Sequence, residues 1–89
     1  MKHDSEKSRV DLIPADALLE VGQVLRFGAT KYGENNWKGL GNGRERYIGA
    51  ALRHIYQRDE IVDRESKLLH LAHAASSILF ALHLTLNGD

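Results

Sequence analysis

Residues 67–86 read KLLHLAHAASSILFALHLTL, a run of twenty positions without proline or glycine. Leu68, Leu71, Ala72, Ala75, Leu79 and Leu82 recur at three- and four-residue steps, the period of a helix with one apolar face. Leu69, Ala74, Phe80, Ala81 and Leu84 place further apolar groups on the remaining faces. A helix apolar all round is covered all round. His70, His73, Ser76, Ser77 and His83 interrupt the run with groups that are costly in lipid, so it reads as a core helix and not as a membrane span. Three helices of this size cannot enclose their longest member, and a second copy of the chain is expected to cover the rest.

Moving toward the N-terminus, the charged stretch from Asp59 to Ser66 separates this helix from another at about Arg44–Arg58, with Ile48, Ala51, Leu52 and Ile55 as its stripe. His54 lies off that stripe, in line with Tyr47, Ala50 and Arg58. Asp63 or Ser66 is expected to cap the helix that follows. Residues 33–43 are rich in glycine and asparagine and form the long irregular segment of the chain. Before it, a first helix is expected from Pro14 to Tyr32, with Asp16 in its first turn, Leu18, Val21, Leu25 and Ala29 facing inward, and Gly33 as its stop. Gly22 and Gly28 weaken that helix by about 1 kcal/mol each relative to alanine, which points to a close backbone or ligand. The expected fold is a small all-α bundle of three helices, or four where a second copy contributes one, forming a homo-oligomer through helix 67–86.

A chain of 89 residues makes one domain with a modest core, and without cysteine no disulfide supports it. Residues 1–9 are expected to be a flexible tail and residues 10–89 a single helical domain. Twelve basic and twelve acidic residues cancel, which argues against a protein that coats duplex nucleic acid and leaves room for a small anionic ligand. The polar N-terminus has no apolar signal region, so the expected location is the cytoplasm.

Three groups of residues carry chemistry. Lys31, Tyr32, Asn35, Asn36 and Trp37 place a cation, two rings and two amides close together, suited to stacking on a purine, reading its edge and pairing with phosphate. The same residues also serve as core aromatics and turn formers in many small domains. Gly39-Leu40-Gly41-Asn42-Gly43-Arg44 opens a helix with freed backbone N–H groups, but it is neither a Walker A sequence nor a Rossmann turn. The third group is His54, Glu60, Asp63, Glu65, His70 and His73. The i, i+3 pair His70 and His73 shares a helix face that His54 meets if the last two helices form a hairpin, and the turn supplies carboxylates for Mg²⁺ or Mn²⁺. Packing histidines and helix-capping acids give the alternative account of this group. No cysteine is present for thiol catalysis, and Ser76 and Ser77 lie mid-helix without an oxyanion pocket.

The ordered strings Leu12-Ile13-Pro14, Phe27-Gly28-Ala29-Thr30-Lys31-Tyr32-Gly33, Asn36-Trp37, Ala51-Leu52-Arg53-His54, Glu65-Ser66 and His70-Leu71-Ala72-His73-Ala74 resemble the phage-associated dATP/dGTP diphosphohydrolase domain family. That family is comparable to the all-α nucleotide pyrophosphohydrolases of the MazG kind. The resemblance spans residues 10–86. It implies a metal-dependent nucleoside triphosphate pyrophosphohydrolase that converts dATP or dGTP to monophosphate and pyrophosphate. Lys31, Tyr32, Asn36, Trp37, Arg44 and Arg53 would bind the nucleotide. His54, Glu60, Asp63, His70 and His73 would hold the metal, with Glu60, Asp63 and His54 in catalytic roles. Glu60-Ile61-Val62-Asp63 has the spacing of one MazG acidic motif, Glu-x-x-Asp, while no Glu-x-x-Glu precedes it. Two other readings stand beside the enzyme: a non-catalytic phage protein that sequesters cyclic nucleotide or ADP-ribose-derived immune signals, and a structural interaction domain.

Overall fold

The computed structural model describes residues 7–34 and 41–88. Helix α1 spans Ala15–Tyr32, α2 spans Gly43–Tyr56 and α3 spans His70–Asn87, with short 3₁₀ turns at Val10–Leu12 and Arg58–Glu60. No strand occurs among the described residues, and one isolated antiparallel bridge joins Val62 and Leu69. The expected all-α, three-helix class is the observed one.

Helix α1 starts where expected, with Pro14 at the cap and its carbonyl accepting the Leu18 N–H at 3.1 Å. It stops at Gly33, whose φ of +96° is readily open only to glycine and whose N–H closes on the Ala29 carbonyl at 2.9 Å. Helix α2 follows a left-handed Asn42, φ 57°, and Arg46 Nε donates to the Gly41 carbonyl at 3.0 Å, tying the approach to the helix.

Helix α3 begins at His70 and not at Lys67, because the preceding residues make a different structure. The Asp63 carboxylate accepts the N–H groups of Glu65 and Ser66 at 3.1 and 2.9 Å. Lys67 is left-handed, the Asp63 N–H bonds the Leu68 carbonyl at 2.7 Å, and the His70 N–H bonds the Ile61 carbonyl at 2.8 Å. Asp63 and Ser66 therefore cap this turn, and neither caps α3 through its side chain. Ile61 sits at φ 67°, ψ −64°, with the Val62 N–H closing on the Glu60 carbonyl at 2.8 Å, a strained three-residue turn.

Helices α2 and α3 pack as an antiparallel hairpin, with Tyr47 against Phe80 at one end and His54 against His70 and His73 at the other. Helix α1 packs on α3 as well, and among the described residues it does not pack on α2. The result is a trough walled by α1 and α2 and floored by α3. The core is small-sided: Val21, Val24, Ala51, Ala72, Ala74 and Ala81 are buried, and the largest side chains sealed completely are His70 and Ser76.

The expected inward stripes are met only in part. Val21 and Ala51 are buried, whereas Leu18, Leu25, Ile48 and Leu52 stay exposed, as do Leu71, Ile78, Leu79, Leu82 and Leu86 on α3. Helical period identifies an apolar face but not which part of it a neighbour reaches. Gly22 and Gly28 have open space where a Cβ would stand, so within this chain no close backbone explains them.

Candidate functional site

Three imidazoles meet where α2 and α3 approach the turn between them. His54 Nδ1 lies 2.9 Å from His70 Nδ1, and the His54 ring stacks on that of His73 with centroids 4.6 Å apart and planes 12° from parallel. Each helix supplies its members by simple period. His70 and His73 fall on one face of α3, and His54 faces them because the hairpin brings the last turn of α2 over the first turn of α3. The turn between the helices adds Asp63, and donor atoms of His54, Asp63 and His70 all lie within 4.8 Å of one another.

The surrounding bonds fix these groups. His70 is buried, and on the far side of its ring Nε2 faces Glu60 Oε2 at 4.0 Å. His73 Nε2 is 2.7 Å from Ser66 Oγ, which also accepts the Leu68 N–H at 3.1 Å. Phe27 of α1 meets the His73 ring edge-on at a centroid distance of 6.4 Å. Burial pushes the pKa of His54 down, aided by the neighbouring His73 and His70, and burial does the same to His73. Asp63 is held below the usual carboxylate range, first by the Ser66 N–H that its charge accepts. His54 and His73 are thus biased toward the neutral form and Asp63 toward the ionised form, the direction that favours metal binding.

The donor set fits a divalent ion. Metal–nitrogen bonds of about 2.0–2.1 Å in a tetrahedral site place two ligand atoms about 3.4 Å apart, a separation the two Nδ1 atoms would reach by a small opening from 2.9 Å. Two imidazoles and one carboxylate suit transition ions such as Mn²⁺ better than Mg²⁺, which favours oxygen throughout.

The cluster closes one end of the trough, a cleft of about 780 Å³, within the size range of small-molecule sites. Its walls include Phe27, Gly28 and Tyr32 of α1, Tyr47, Ala50 and His54 of α2, and His73, Ser76, Ser77 and Phe80 of α3. Glu34, Asp63 and Glu65 also line it, and no lysine or arginine is among its described lining residues. Lys31 lies at the edge, where it forms an ion pair with Glu65 and stands 5.0 Å from the Tyr32 ring centroid.

The residues expected from sequence therefore separate. His54, Asp63 and His70 gather as one donor group, Glu60 stands behind His70, and His73 stacks beside His54 with its Nε2 on Ser66. Tyr32 lines the cleft, whereas Arg53 is exposed on α2 and Arg44 is exposed near Glu45 at 3.6 Å, neither of them among the lining residues. Asn36 and Trp37 lie outside the described residues. Sequence reasoning missed Tyr47, Phe80 and the Ser66–His73 contact. The alignment of Tyr47, Ala50 and His54 on one helical line was the available signal for the first of these.

The fold and site define an all-α domain whose aromatic-walled cleft adjoins a His-Asp-His group that could hold a metal ion. The chain itself belongs to the family described as "dATP/dGTP diphosphohydrolase, N-terminal", whose pattern it matches over residues 1–89. It is 38% identical over 89 residues to a "dATP/dGTP diphosphohydrolase" of Salmonella phage PMBT28, an alignment that covers 98% of this chain and 30% of the relative. The chain thus spans about 30% of that relative's length. No solved structure matches it. Among the described residues, no helix is long and apolar enough to cross a membrane.

Proposed function

We propose that this chain takes part in metal-dependent hydrolysis of purine deoxynucleoside triphosphates, dATP or dGTP, to monophosphate and pyrophosphate. The observation that carries the reading is the convergence of His54 and Asp63, which line the cleft, with the buried His70, in a chain of this family. Water would attack the α-phosphorus, the bond to the oxygen bridging to the β-phosphorus would break, and pyrophosphate would leave.

His54, Asp63 and His70 would hold the ion, with Mn²⁺ preferred over Mg²⁺ on donor chemistry. A bound divalent ion would neutralise phosphate charge and activate water. Glu60 faces the other nitrogen of His70, the place from which a carboxylate fixes the tautomer and orientation of a ligating imidazole. It acts through His70 and is a positioning residue. His73, anchored on Ser66, props the His54 ring by stacking. The charge of the cleft supports metal dependence independently. With Glu34, Asp63 and Glu65 among its described lining residues and Lys31 engaged by Glu65, these walls would favour a triphosphate accompanied by cations over a free one.

The test is incubation of the pure chain with dGTP or dATP and Mn²⁺, reading pyrophosphate release. Release that EDTA abolishes is expected, and no release with either nucleotide would defeat the reading. A second reading, capture of a nucleotide signal without cleavage, draws on the absence of a Glu-x-x-Glu ahead of Glu60-Ile61-Val62-Asp63 in this sequence. Calorimetric binding of a nucleotide that is indifferent to EDTA, with no turnover, would favour it. The uncovered leucines of α3 further support a homo-oligomer built on that helix.

A further inference from the structure

Two antiparallel helices bring the same gradient of side chains to the cleft. Along α2 the lining residues run His54, Ala50, Tyr47, and along α3 they run His73, then Ser76 and Ser77, then Phe80. At each level the two helices match: imidazole stacks on imidazole at one end, small residues face the middle, and Tyr47 meets Phe80 edge to face at a centroid distance of 5.0 Å at the other. From His73 to Phe80 the helical rise amounts to about 10 Å. The cleft is therefore polar and ion-binding at one end, open in the middle and aromatic at the far end.

We propose that the Tyr47–Phe80 end receives the heterocyclic base of the nucleotide, with the sugar crossing the middle over Ala50 and Ser77 and the phosphates directed at the His-Asp end. The assignment rests on the nucleotide reading above and adds the direction in which the ligand lies, together with residues for the base that differ from Tyr32, Asn36 and Trp37. Its physical basis is complementarity along one axis. A planar aromatic base gains most against ring faces and edges, while its phosphates must lie where cations can be held. The small side chains at the middle level leave the room that a pentose needs. Ser77 adds a hydroxyl to that wall, able to bond a sugar or base edge.

The direct test uses the unmodified chain. Nuclear Overhauser contacts are recorded between the base protons of 2′-deoxyguanosine 5′-monophosphate and assigned aromatic protons, with Mg²⁺ and again with EDTA. Contacts to the Tyr47 and Phe80 rings are expected. Contacts confined to other rings, or no binding of the monophosphate, would overturn the proposal. As a second measurement, Ala50→Leu fills the middle and Tyr47→Leu removes a ring. Each is expected to weaken monophosphate binding about tenfold while Mn²⁺ affinity, read by electron paramagnetic resonance, changes less than about twofold. Unchanged monophosphate binding in folded Tyr47→Leu would also overturn it. Loss of Mn²⁺ binding in the unmodified chain would instead defeat the metal reading, so the two failures are distinguishable.

Discussion

His54 Nδ1 and His70 Nδ1 lie 2.9 Å apart although the residues belong to different helices and one ring is fully buried. At this distance two imidazoles can share one N–H···N hydrogen bond; for a metal to take both Nδ1 atoms, the donor ring would have to carry its proton on Nε2 instead. The proposed ion would exchange that internal bond for two coordinate bonds, with the two rings turned so that both nitrogens face it. His54→Ala or His70→Ala is expected to lower Mn²⁺ affinity by about a hundredfold or more, since even outer groups around a metal contribute ten- to a hundredfold. Glu60→Gln should lower it about tenfold with the fold intact. Electron paramagnetic resonance titration reads all three, and normal affinity in folded His54→Ala would remove that residue from the site.

Acid should destabilise the chain in two stages. The pKa values of His54 and His73 are depressed by burial, so below about 6.5 the unfolded chain binds protons that the folded chain does not. Stability is full above that value and falls as the pH drops through the folded-state values. Asp63 is depressed by the N–H groups it accepts, and its contribution is full above about 3.9 and lost as pH falls through its lower folded value. Asp63→Ala should cost about 1 kcal/mol at neutral pH, as for a lost cap, should flatten the second stage, and should deepen the first, because the Asp63 charge holds the His54 and His73 values up against burial. Urea unfolding from pH 7.5 to 2.5 without added metal measures both stages.

Ile61 is a β-branched residue at positive φ and is largely exposed. Its conformation costs about 1–3 kcal/mol, and glycine would remove that cost while adding about 0.5–1 kcal/mol of chain entropy to the unfolded state. Ile61→Gly is therefore expected to stabilise the chain by about 1 kcal/mol in urea unfolding. A loss of stability would mean that the Ile61 side chain contributes more through contacts than its backbone loses.

On α3, Leu71, Ile78, Leu82 and Leu86 fall on one side and remain open to solvent, Leu71 at 60% and Leu86 at 76% exposure. A contiguous apolar stripe of this kind marks an interaction surface. Sedimentation of the pure chain should show an oligomer, and the double substitution Leu71→Lys, Leu82→Lys should convert it to a monomer. An unmodified chain that sediments as a monomer throughout the micromolar range would contradict self-association through α3.

Local chemistry alone was enough for the helices, the glycine stop after Tyr32 and the convergence of His54 with His70 and His73. Helical period and glycine conformation act over a few residues, and a short turn between two helices leaves a hairpin as the natural arrangement. The family was likewise legible, because it rests on the order and spacing of short strings. What the tertiary structure decided is how the side chains divide between core and cleft. Leu18, Leu25 and Leu52 carry the inward signature and stay exposed, since only the placement of α1 on α3 and its separation from α2 determine which part of each stripe is covered. The same separation opens the cleft and brings Tyr47, Phe80 and the His-Asp group to it. Residues far apart in the chain acquire that relationship only through packing, so no local pattern could encode it.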